Sequence, residues 1–364
     1  METQYIRRLE EIEAVIDNWL PQTPDAGWFE RVFTFGTTPV APEFAAPLIQ
    51  PGWDLVKRGG KRWRPLLMTL VAEAIAGESG REAALPLTPL VEFPHNASLI
   101  HDDIEDNSDE RRGKPAVHLI YGVDTAINAG AFMYFLPLAC LDVWAKKYCL
   151  NGENYGLKDK IWTIWASHMR ALHLGQAMDI SWHRDFFSLP ALDDYDRMCR
   201  LKTGCLARLA AVLGVYCAGS GLQEETLQKL TGVFGRAAEE LGVGFQILDD
   251  VKNLDTGIPG KKRGDDIVEG KKSLPVLLYL HRYPEKRDFA VRCFSAARVN
   301  GVKTPEVEEI IGVLKESGVL EEARKKGLEY IRKSGQVFSA PLTAGIPLKE
   351  EGRMLLAGFI DLLL

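Results

Sequence analysis

Apolar positions recur at helical spacing along most of the chain, and alternating β-branched stretches are hard to find. This pattern predicts an all-α protein with long helices over roughly 5–20, 65–78, 84–106, 124–147, 158–182, 192–219 and 224–254. Shorter helices are expected near 273–281, 305–316, 319–335 and 350–363. Segments rich in Gly and Pro predict loops at 21–26, 36–52 and 255–264, and the last is long enough to be a candidate functional loop.

Two acidic clusters lie at the C-terminal ends of two of the predicted long helices. The first is Asp102, Asp103 and Asp106, and the second is Asp249 and Asp250, followed by Asn253. Carboxylates three or four residues apart share a helical face and repel each other, so a cation is expected beside them. Magnesium prefers such oxygen ligands, and facing helices of a bundle can supply them. The alternative is a pair of solvated acidic faces.

A basic cluster precedes the first acids. The segment KRGGKRWRP at 57–65 combines five basic residues and two glycines with a proline at an expected helix start. Lys61 and Arg64 lie three residues apart there, beside backbone N–H groups that are free to bind an anion. Alone, such a cluster is typical of a solvated surface. Together with acids of the metal-binding type, it predicts two phosphorylated substrates held side by side.

Other polar residues interrupt apolar helices or follow the second acids. They are His95, Lys202, Thr203 and Gln246 within helices, and Lys262, Asp266 and Lys271 on the segment after the second cluster. Each helical residue alone could be a satisfied core group. The later segment has the composition of a lid that closes basic groups over a diphosphate.

Composition narrows the classes of partner and compartment. The 364 residues are 46% hydrophobic with a net charge of -6, which supports a sizeable core and argues against nucleic acid as a partner. The six cysteines lack paired spacing and the N-terminus lacks a signal sequence, so we expect a cytoplasmic protein. The longest apolar run, 129–141, is too short to span a bilayer, although a peripheral membrane encounter remains open.

These motifs, in this order, resemble the trans-type (head-to-tail) isoprenyl diphosphate synthases from about residue 50 to 280. The resemblance rests on the two aspartate clusters, GGKRWRP at 59–65, KTG at 202–204 and GKK at 270–272. HNASLIHDDIEDNS, RRGKPAVHLIYG, YF at 134–135 and LHLGQAMDI are most similar to geranylgeranyl diphosphate synthases of eukaryotic type. The resemblance implies an all-α bundle with a central apolar pocket, commonly homodimeric. We expect a helical extension at 1–50 and one domain at 51–364.

The resemblance also implies roles for individual residues. Three magnesium ions per active site would be held by the carboxylates of Asp102, Asp103, Asp106, Asp249 and Asp250. An allylic diphosphate would contact Arg111, Lys202, Thr203, Gln246 and Lys262. Isopentenyl diphosphate would contact Gly60, Lys61, Arg64, His95 and Arg112, with Asp266 and Lys271 supporting the lid. The implied chemistry is ionisation of the allylic C–O bond, attack by the isopentenyl double bond and proton loss.

Product length depends on residues down the pocket from the first acids. Ser98 lies four residues before Asp102, about 6 Å along the same helical face, with Ala97 beside it. Short-chain members of the family that this chain resembles tend to carry an aromatic side chain at one of these positions. Because both residues are small here, the resemblance implies no arrest at fifteen carbons. The resemblance assigns the pocket floor to Tyr134, Phe135 and His173, which implies a twenty-carbon product, although a Tyr-Phe pair could also be plain core. A terpene cyclase, a non-catalytic subunit and a synthase of other chain length remain alternatives.

Overall fold

The computed structural model describes residues 2–33, 41–149, 156–219, 221–257 and 262–363, which are almost entirely α-helical. The first six helices are α1 Glu2–Trp19, α2 Ala26–Val32, α3 Pro42–Lys57, α4 Trp63–Ala76, α5 Glu78–Ala84 and α6 Pro89–Glu105. The next six are α7 Val117–Tyr121, α8 Val123–Tyr148, α9 Leu157–Arg184, α10 Leu192–Cys199, α11 Cys205–Ala218 and α12 Glu224–Leu254. The last six are α13 Asp265–Glu269, α14 Leu274–Arg282, α15 Arg287–Asn300, α16 Pro305–Glu316, α17 Val319–Phe338 and α18 Glu350–Gly358.

Short turns and two small hairpins connect these helices. Single 3₁₀ turns occupy Leu85–Leu87, Pro284–Lys286 and Phe359–Leu362, and a π turn at Arg200–Gly204 joins α10 to α11. The antiparallel pairs are β1 Glu110–Arg111 with β2 Lys114–Pro115, and β3 Leu342–Thr343 with β4 Ile346–Pro347. The first hairpin follows the first acidic cluster directly and folds Arg111 back toward it.

The bundle is built around helices that are buried on every side. In α4, side chains from Trp63 to Ile75 are all buried, as expected for a central helix. Helix α4 packs against α11, α11 against α12, and α6 against α8. Gly214 makes the α4–α11 approach possible, because a Cβ there would lie 2.4 Å from the Met68 carbonyl oxygen. This packing brings the C-terminal parts of α6 and α12 to one cavity.

The all-α prediction is confirmed, but several helix boundaries are wrong. The predicted loop at 36–52 contains the start of α3, with Pro42 at the first turn and Pro47 and Pro51 inside the helix. Burial of Ile49, Leu55 and Val56 in the core offsets the backbone bonds that these prolines remove. The predicted helix 84–106 is interrupted near its start, and the predicted helix 192–219 contains the π turn. Helices α2, α5, α7, α13 and α15 were not expected. The 255–264 loop lies partly outside the described residues.

The N-terminal helix packs into the main core. Tyr5, Ile12 and Ile16 are buried there, and the Tyr5 hydroxyl donates to the Leu355 carbonyl oxygen at 2.6 Å. Helix α3 runs through residue 50, where the predicted extension ends. The division of the chain at that residue stays a prediction.

Two stretches are long and apolar enough to span a membrane by length and composition, Val123–Tyr148 and Leu192–Ala218. Half of the most apolar window of the first is buried inside the protein, and 78% of the second. Core helices commonly pass the same test, so this is weak evidence for a membrane span.

Candidate active site

The first acidic cluster lies where α6 ends, and each of its carboxylates is next to a cation from elsewhere in the chain. Lys202 Nζ lies 3.1 Å from Asp102 Oδ1, Arg111 Nε donates to Asp103 Oδ1 at 2.9 Å, and Lys271 Nζ lies 3.0 Å from Asp106 Oδ2. The like charges on this helical turn are therefore compensated by protein cations.

These cations and burial set the protonation of the cluster. Burial acts to raise the pKa of Asp102, but Lys202, Lys271 and Arg111 hold that pKa well below its usual range. Burial raises the pKa of Asp106 to about 7, with Lys271 opposing the rise. Asp102 is thus ionised at neutral pH, whereas Asp106 holds its proton more readily.

The second acidic cluster, near the end of α12, is fixed by a chain of hydrogen bonds. The Tyr195 hydroxyl donates to Asp250 Oδ2 at 2.7 Å, and Gln246 Nε2 donates to Asp250 Oδ1 at 2.9 Å. Thr203 in turn donates to Gln246 Oε1 at 2.7 Å. Burial, with the nearby charge of Asp266, raises the pKa of Asp250 to about 7. The side chain of Asp250 is therefore held in one orientation, with its charge sensitive to what binds beside it.

A separate group of cations surrounds the start of α4. Arg64 is buried, stacks over the Trp63 ring at 4.3 Å, and its Nε makes no hydrogen bond within the described residues. Burial lowers the pKa of Arg64 to about 10, which leaves it charged at neutral pH. Burial and neighbouring guanidinium groups hold the pKa of His95 well below its usual value, so that imidazole is neutral. A buried cation with an unused N–H is suited to an anionic ligand.

Residues from both acidic clusters and from the cations at the start of α4 line one cavity of about 730 Å³. The predicted residues on its wall are Gly60, Lys61, Arg64, His95, Ser98, Asp102, Arg111, Arg112, Tyr134, His173, Lys202, Thr203, Gln246, Asp249, Asp250, Asp266 and Lys271. The helices thus gather residues that lie up to 211 positions apart, from Gly60 to Lys271. The volume is in the range of small-molecule sites.

Five predicted residues lie off this wall. Asp103 and Asp106 sit behind it, paired with the wall residues named above. Lys262 lies outside, with Nζ 3.3 Å from Asp109 Oδ2. The expectation for Ala97 and Phe135 is corrected: Ala97 is buried in the core, and Phe135 is 64% exposed. Each is one residue, about 100° of helical turn, from a neighbour that does face the cavity.

Two residues that sequence reasoning did not assign also belong to the site. Gln176 Nε2 donates to Asp102 Oδ1 at 2.8 Å and to Glu105 Oε2 at 2.6 Å. Asp179, three residues later on α9, accepts from Lys202. The sequence could have indicated both residues, because they are polar side chains about one helical turn apart in the otherwise apolar stretch LHLGQAMDI.

The oxygen donors at the site fit a hard divalent cation such as magnesium. Asp103 Oδ2 and Asp106 Oδ1 accept no hydrogen bond from any described residue, so they keep lone pairs for a ligand. Among the described residues, no group of three or more His, Cys, Asp or Glu side chains is already arranged to hold a metal ion. The cause is visible in the first cluster, where each carboxylate is drawn toward a lysine or an arginine.

The fold and this site define a helical protein with two cation-bearing regions in one cavity, and comparison with known proteins gives the family. Residues 46–311 match the polyprenyl synthetase family. A geranylfarnesyl diphosphate synthase from Aeropyrum pernix is 30% identical over 316 residues, 84% of this chain and 92% of the relative. A geranylgeranyl pyrophosphate synthase from Eremothecium gossypii is 37% identical over 233 residues, 63% of this chain and 68% of the relative.

A solved structure agrees with the sequence matches. The geranylgeranyl pyrophosphate synthetase from Pyrococcus horikoshii is 25% identical, with a TM-score of 0.77 over 100% of this chain and 98% of that one. The chain therefore belongs to the polyprenyl synthetase family. It is a trans-prenyltransferase with the all-α fold of the isoprenyl diphosphate synthases, as the sequence motifs predict.

Proposed function

We propose that this prenyltransferase condenses isopentenyl diphosphate with an allylic diphosphate and makes geranylgeranyl diphosphate as its main product. One observation carries the proposal: a single cavity has carboxylates paired with cations on one side and the buried, incompletely hydrogen-bonded Arg64 on another. Two separate anion-binding regions suit two diphosphate substrates. A terpene cyclase has only one diphosphate to bind, which makes that alternative less suited to the cavity.

The allylic diphosphate is proposed to lie between the two acidic clusters. Lys202 and Arg111 stand beside the first cluster, where they can stabilise negative charge on the leaving diphosphate as the allylic C–O bond breaks. Thr203 and Gln246 fix the second cluster on the other side. In this arrangement no side-chain nucleophile is required, because the protein acts by charge stabilisation and positioning.

Isopentenyl diphosphate is proposed to bind at the start of α4, against Lys61, Arg64 and Arg112. The neutral His95 borders the same region without adding charge. The isopentenyl double bond then faces the allylic carbon, and its π electrons form the new C–C bond as the cation is quenched. Loss of a proton to the departing diphosphate regenerates a double bond and completes the balance of charge.

Magnesium is proposed as the metal, with three ions held by the carboxylates Asp102, Asp103, Asp106, Asp249 and Asp250. When bound, it would neutralise diphosphate charge as a Lewis acid. Excess EDTA should abolish turnover, and Asp103→Ala should cost about a hundredfold or more in kcat, the order seen when one electrostatic group is lost. Full turnover in excess EDTA would refute the metal assignment.

The floor of the cavity supports the twenty-carbon product. The Tyr134 ring lies 5.2 Å from the His173 ring and 5.8 Å from the His101 ring, measured between centroids. All three rings line the cavity, as does the small Ser98, and we propose that the rings form the barrier that stops the growing chain. A longer product is the second candidate, because the A. pernix relative is named for geranylfarnesyl diphosphate.

A homodimer and a cytoplasmic location complete the proposal. Val123, Ile127 and Phe135 recur at steps of four or eight along α8 and are exposed, as are Leu119 on α7 and Leu174 on α9. We propose a second copy of the chain as the partner of this apolar face. Phe135→Glu should then yield a monomer in light scattering, and a wild-type monomer at assay concentration would refute the dimer. The six free cysteines are consistent with a reducing cytoplasm.

Product analysis is the decisive experiment. Wild-type enzyme is incubated with magnesium, radiolabelled isopentenyl diphosphate and dimethylallyl, geranyl or farnesyl diphosphate in turn, and the dephosphorylated products are separated by chromatography. We expect a twenty-carbon alcohol from every primer that is accepted. A cyclised hydrocarbon would favour the cyclase, and a twenty-five-carbon alcohol would favour the longer-chain synthase.

A further inference from the structure

The turn that carries Gly60 and Lys61 is held by a buried arginine, Arg62, which itself borders the cavity. Arg62 adopts a left-handed backbone conformation with φ 47°, which non-glycine residues rarely adopt, and only 5% of it is exposed. Its guanidinium donates to the Val56 carbonyl oxygen at 2.6 Å and to the Gly59 carbonyl oxygen at 3.2 Å. The side chain of Arg62 thus ties the turn to the end of α3.

A buried carboxylate, Glu92 on α6, connects Arg62 to a residue of the proposed isopentenyl diphosphate site. Glu92 Oε1 accepts from Arg62 Nη1 at 3.1 Å and from Asn96 Nδ2 at 2.9 Å. Asn96 Oδ1 in turn accepts from Arg112 Nη1 at 3.2 Å. Burial lowers the pKa of Arg112 to about 10, and the negative charge of Glu92 opposes this. One carboxylate therefore orients Arg62 directly and Arg112 through an amide.

Gly60 is packed between the two guanidinium groups. A Cβ at this position would lie 3.0 Å from Arg62 Nη1 and 3.2 Å from Arg112 Nη2. The backbone of the turn therefore follows the placement of both arginines closely. A shift of either guanidinium moves the backbone that carries Lys61.

The last contact of Arg62 reaches outside this region, to the N-terminal helix. Arg62 Nε donates to Glu13 Oε1 on α1 at 2.6 Å. Glu13 is more accessible to solvent than the two residues through which it acts, because its side chain is 37% exposed whereas those of Arg62 and Glu92 are 3% exposed. Lys57, at the end of α3, also lies near α1, with Nζ 4.0 Å from Glu13 Oε2.

We propose that Glu13 of the N-terminal helix is a positioning residue for the second substrate, acting through Arg62 and Glu92 on the diphosphate-binding turn. This inference rests on the proposed function, since it names isopentenyl diphosphate as that substrate. It assigns a role in specificity to a helix that contributes no side chain to the cavity wall. The charge-assisted bond from Arg62 to Glu13 fixes the guanidinium, and the guanidinium fixes the turn.

Electrostatics and positioning predict opposite signs for the loss of Glu13. Removing a negative charge near an anionic substrate would, by Coulomb's law alone, strengthen binding. If Glu13 positions the turn, its removal weakens binding instead. The sign of the change in the Michaelis constant therefore separates the two effects.

The chain offers a matched control on the same helix. Glu11 is also a partly buried glutamate of α1 that pairs with an arginine of the folded core, Arg81, but neither residue lines the cavity. Glu13→Ala and Glu11→Ala therefore remove the same group from the same helix, and only the first touches the network. Glu13→Gln keeps an oxygen that can accept from Arg62 and serves as the conservative variant.

Steady-state kinetics with each substrate varied in turn is the first test. We expect Glu13→Ala to raise KM for isopentenyl diphosphate about three- to tenfold, the effect of losing one charge-assisted hydrogen bond. KM for the allylic primer should stay within about twofold. Glu13→Gln should recover most of the loss. Glu11→Ala should leave both constants unchanged, even where its melting temperature falls as far as that of Glu13→Ala.

Binding of inorganic diphosphate in EDTA, measured by calorimetry, is the second test, because it reports on the cation-lined region without metal. Weaker diphosphate binding to Glu13→Ala than to Glu11→Ala would support the network, whether or not the wild-type enzyme elongates a primer. Failure of the wild-type enzyme to elongate any primer would overturn the proposed function but not the network. The positioning role would be overturned if both alanine variants elongate the primer with the same KM for isopentenyl diphosphate. It would also be overturned if this KM is lower in Glu13→Ala than in Glu11→Ala.

Discussion

Metal binding at the active site should depend steeply on pH, because two of the proposed ligands are partly protonated at neutrality. Burial raises the pKa of Asp106 and of Asp250 to about 7 in the metal-free protein. A metal ion requires the ionised carboxylate, so binding must displace these protons. Asp102 needs no such step, since nearby cations hold its pKa well below its usual range.

The size of the effect follows from the two titrations. A group with a pKa of about 7 is about nine-tenths protonated at pH 6 and about one-tenth at pH 8. Each group therefore weakens metal binding about tenfold between pH 8 and pH 6, and the two together about a hundredfold. Proton release on metal binding should be close to two per site at pH 6 and small at pH 8.

The same carboxyls predict the pH dependence of stability without metal. Their pKa in the folded state is raised above the unfolded value, so their contribution to stability is complete below the unfolded pKa and is lost as pH rises through about 7. The metal-free protein should thus lose stability between pH 6 and pH 8, whereas the stabilisation that magnesium adds should grow over that interval.

Calorimetry and thermal unfolding at pH 6, 7 and 8, with and without magnesium, test this reasoning. Proton release is obtained by repeating the titration in buffers of different ionisation enthalpy. Asp106→Asn should reduce the pH dependence to about tenfold, because one titrating ligand is gone. Equal magnesium affinity at pH 6 and pH 8 in the wild type would show that the ligands are already ionised and would refute the argument.

Three further outcomes are expected. Arg64→Ala should raise KM for isopentenyl diphosphate far more than KM for the primer, and equal effects on both would indicate one shared diphosphate site. Tyr134→Ala should lengthen the product, as seen by chromatography, whereas Phe135→Ala should not, because only Tyr134 lines the cavity. Gly214→Ala should lower the free energy of unfolding by about 1–3 kcal/mol through its clash with α4. The matched Gly232→Ala, with open space around its Cβ, should raise it by up to about 1 kcal/mol in denaturant titrations.

Helical periodicity predicted the long elements well because it reports local burial. Helix α12, for example, spans the predicted range 224–254 without change. Helix α3 was missed because three prolines suggest a loop, and only its packing against the bundle shows why a helix persists. Helix α15 carried a usable signal, since buried Ala290, Cys293, Phe294 and Ala297 follow helical spacing, but its charged residues obscured it.

The candidate site divides in the same way between local and distant information. Spacing within one helix is enough to propose the acidic clusters as metal ligands. It is not enough to show that Lys202 lies 3.1 Å from Asp102, one hundred residues earlier, or that Phe135 points away from the cavity that Tyr134 lines. Those facts depend on how α6 and α8 pack with each other and with the π turn at Arg200–Gly204. The resemblance supplied them only where family motifs exist.

The first acidic cluster and its cations form an internal ion-pair network, so substrate and metal must compete with these ion pairs when they bind. Lys202, Arg111 and Lys271 pair with the carboxylates of the first acidic cluster, and two of these cations, Lys202 and Arg111, are also proposed to serve the allylic diphosphate. Since a buried charge is stable only with a partner, these cations cannot leave their carboxylates unless another cation replaces them there. Binding of the diphosphate to Lys202 and Arg111 and of metal to the carboxylates is therefore one coupled exchange of partners. Coupling of this kind makes each ligand strengthen the binding of the other by the same factor.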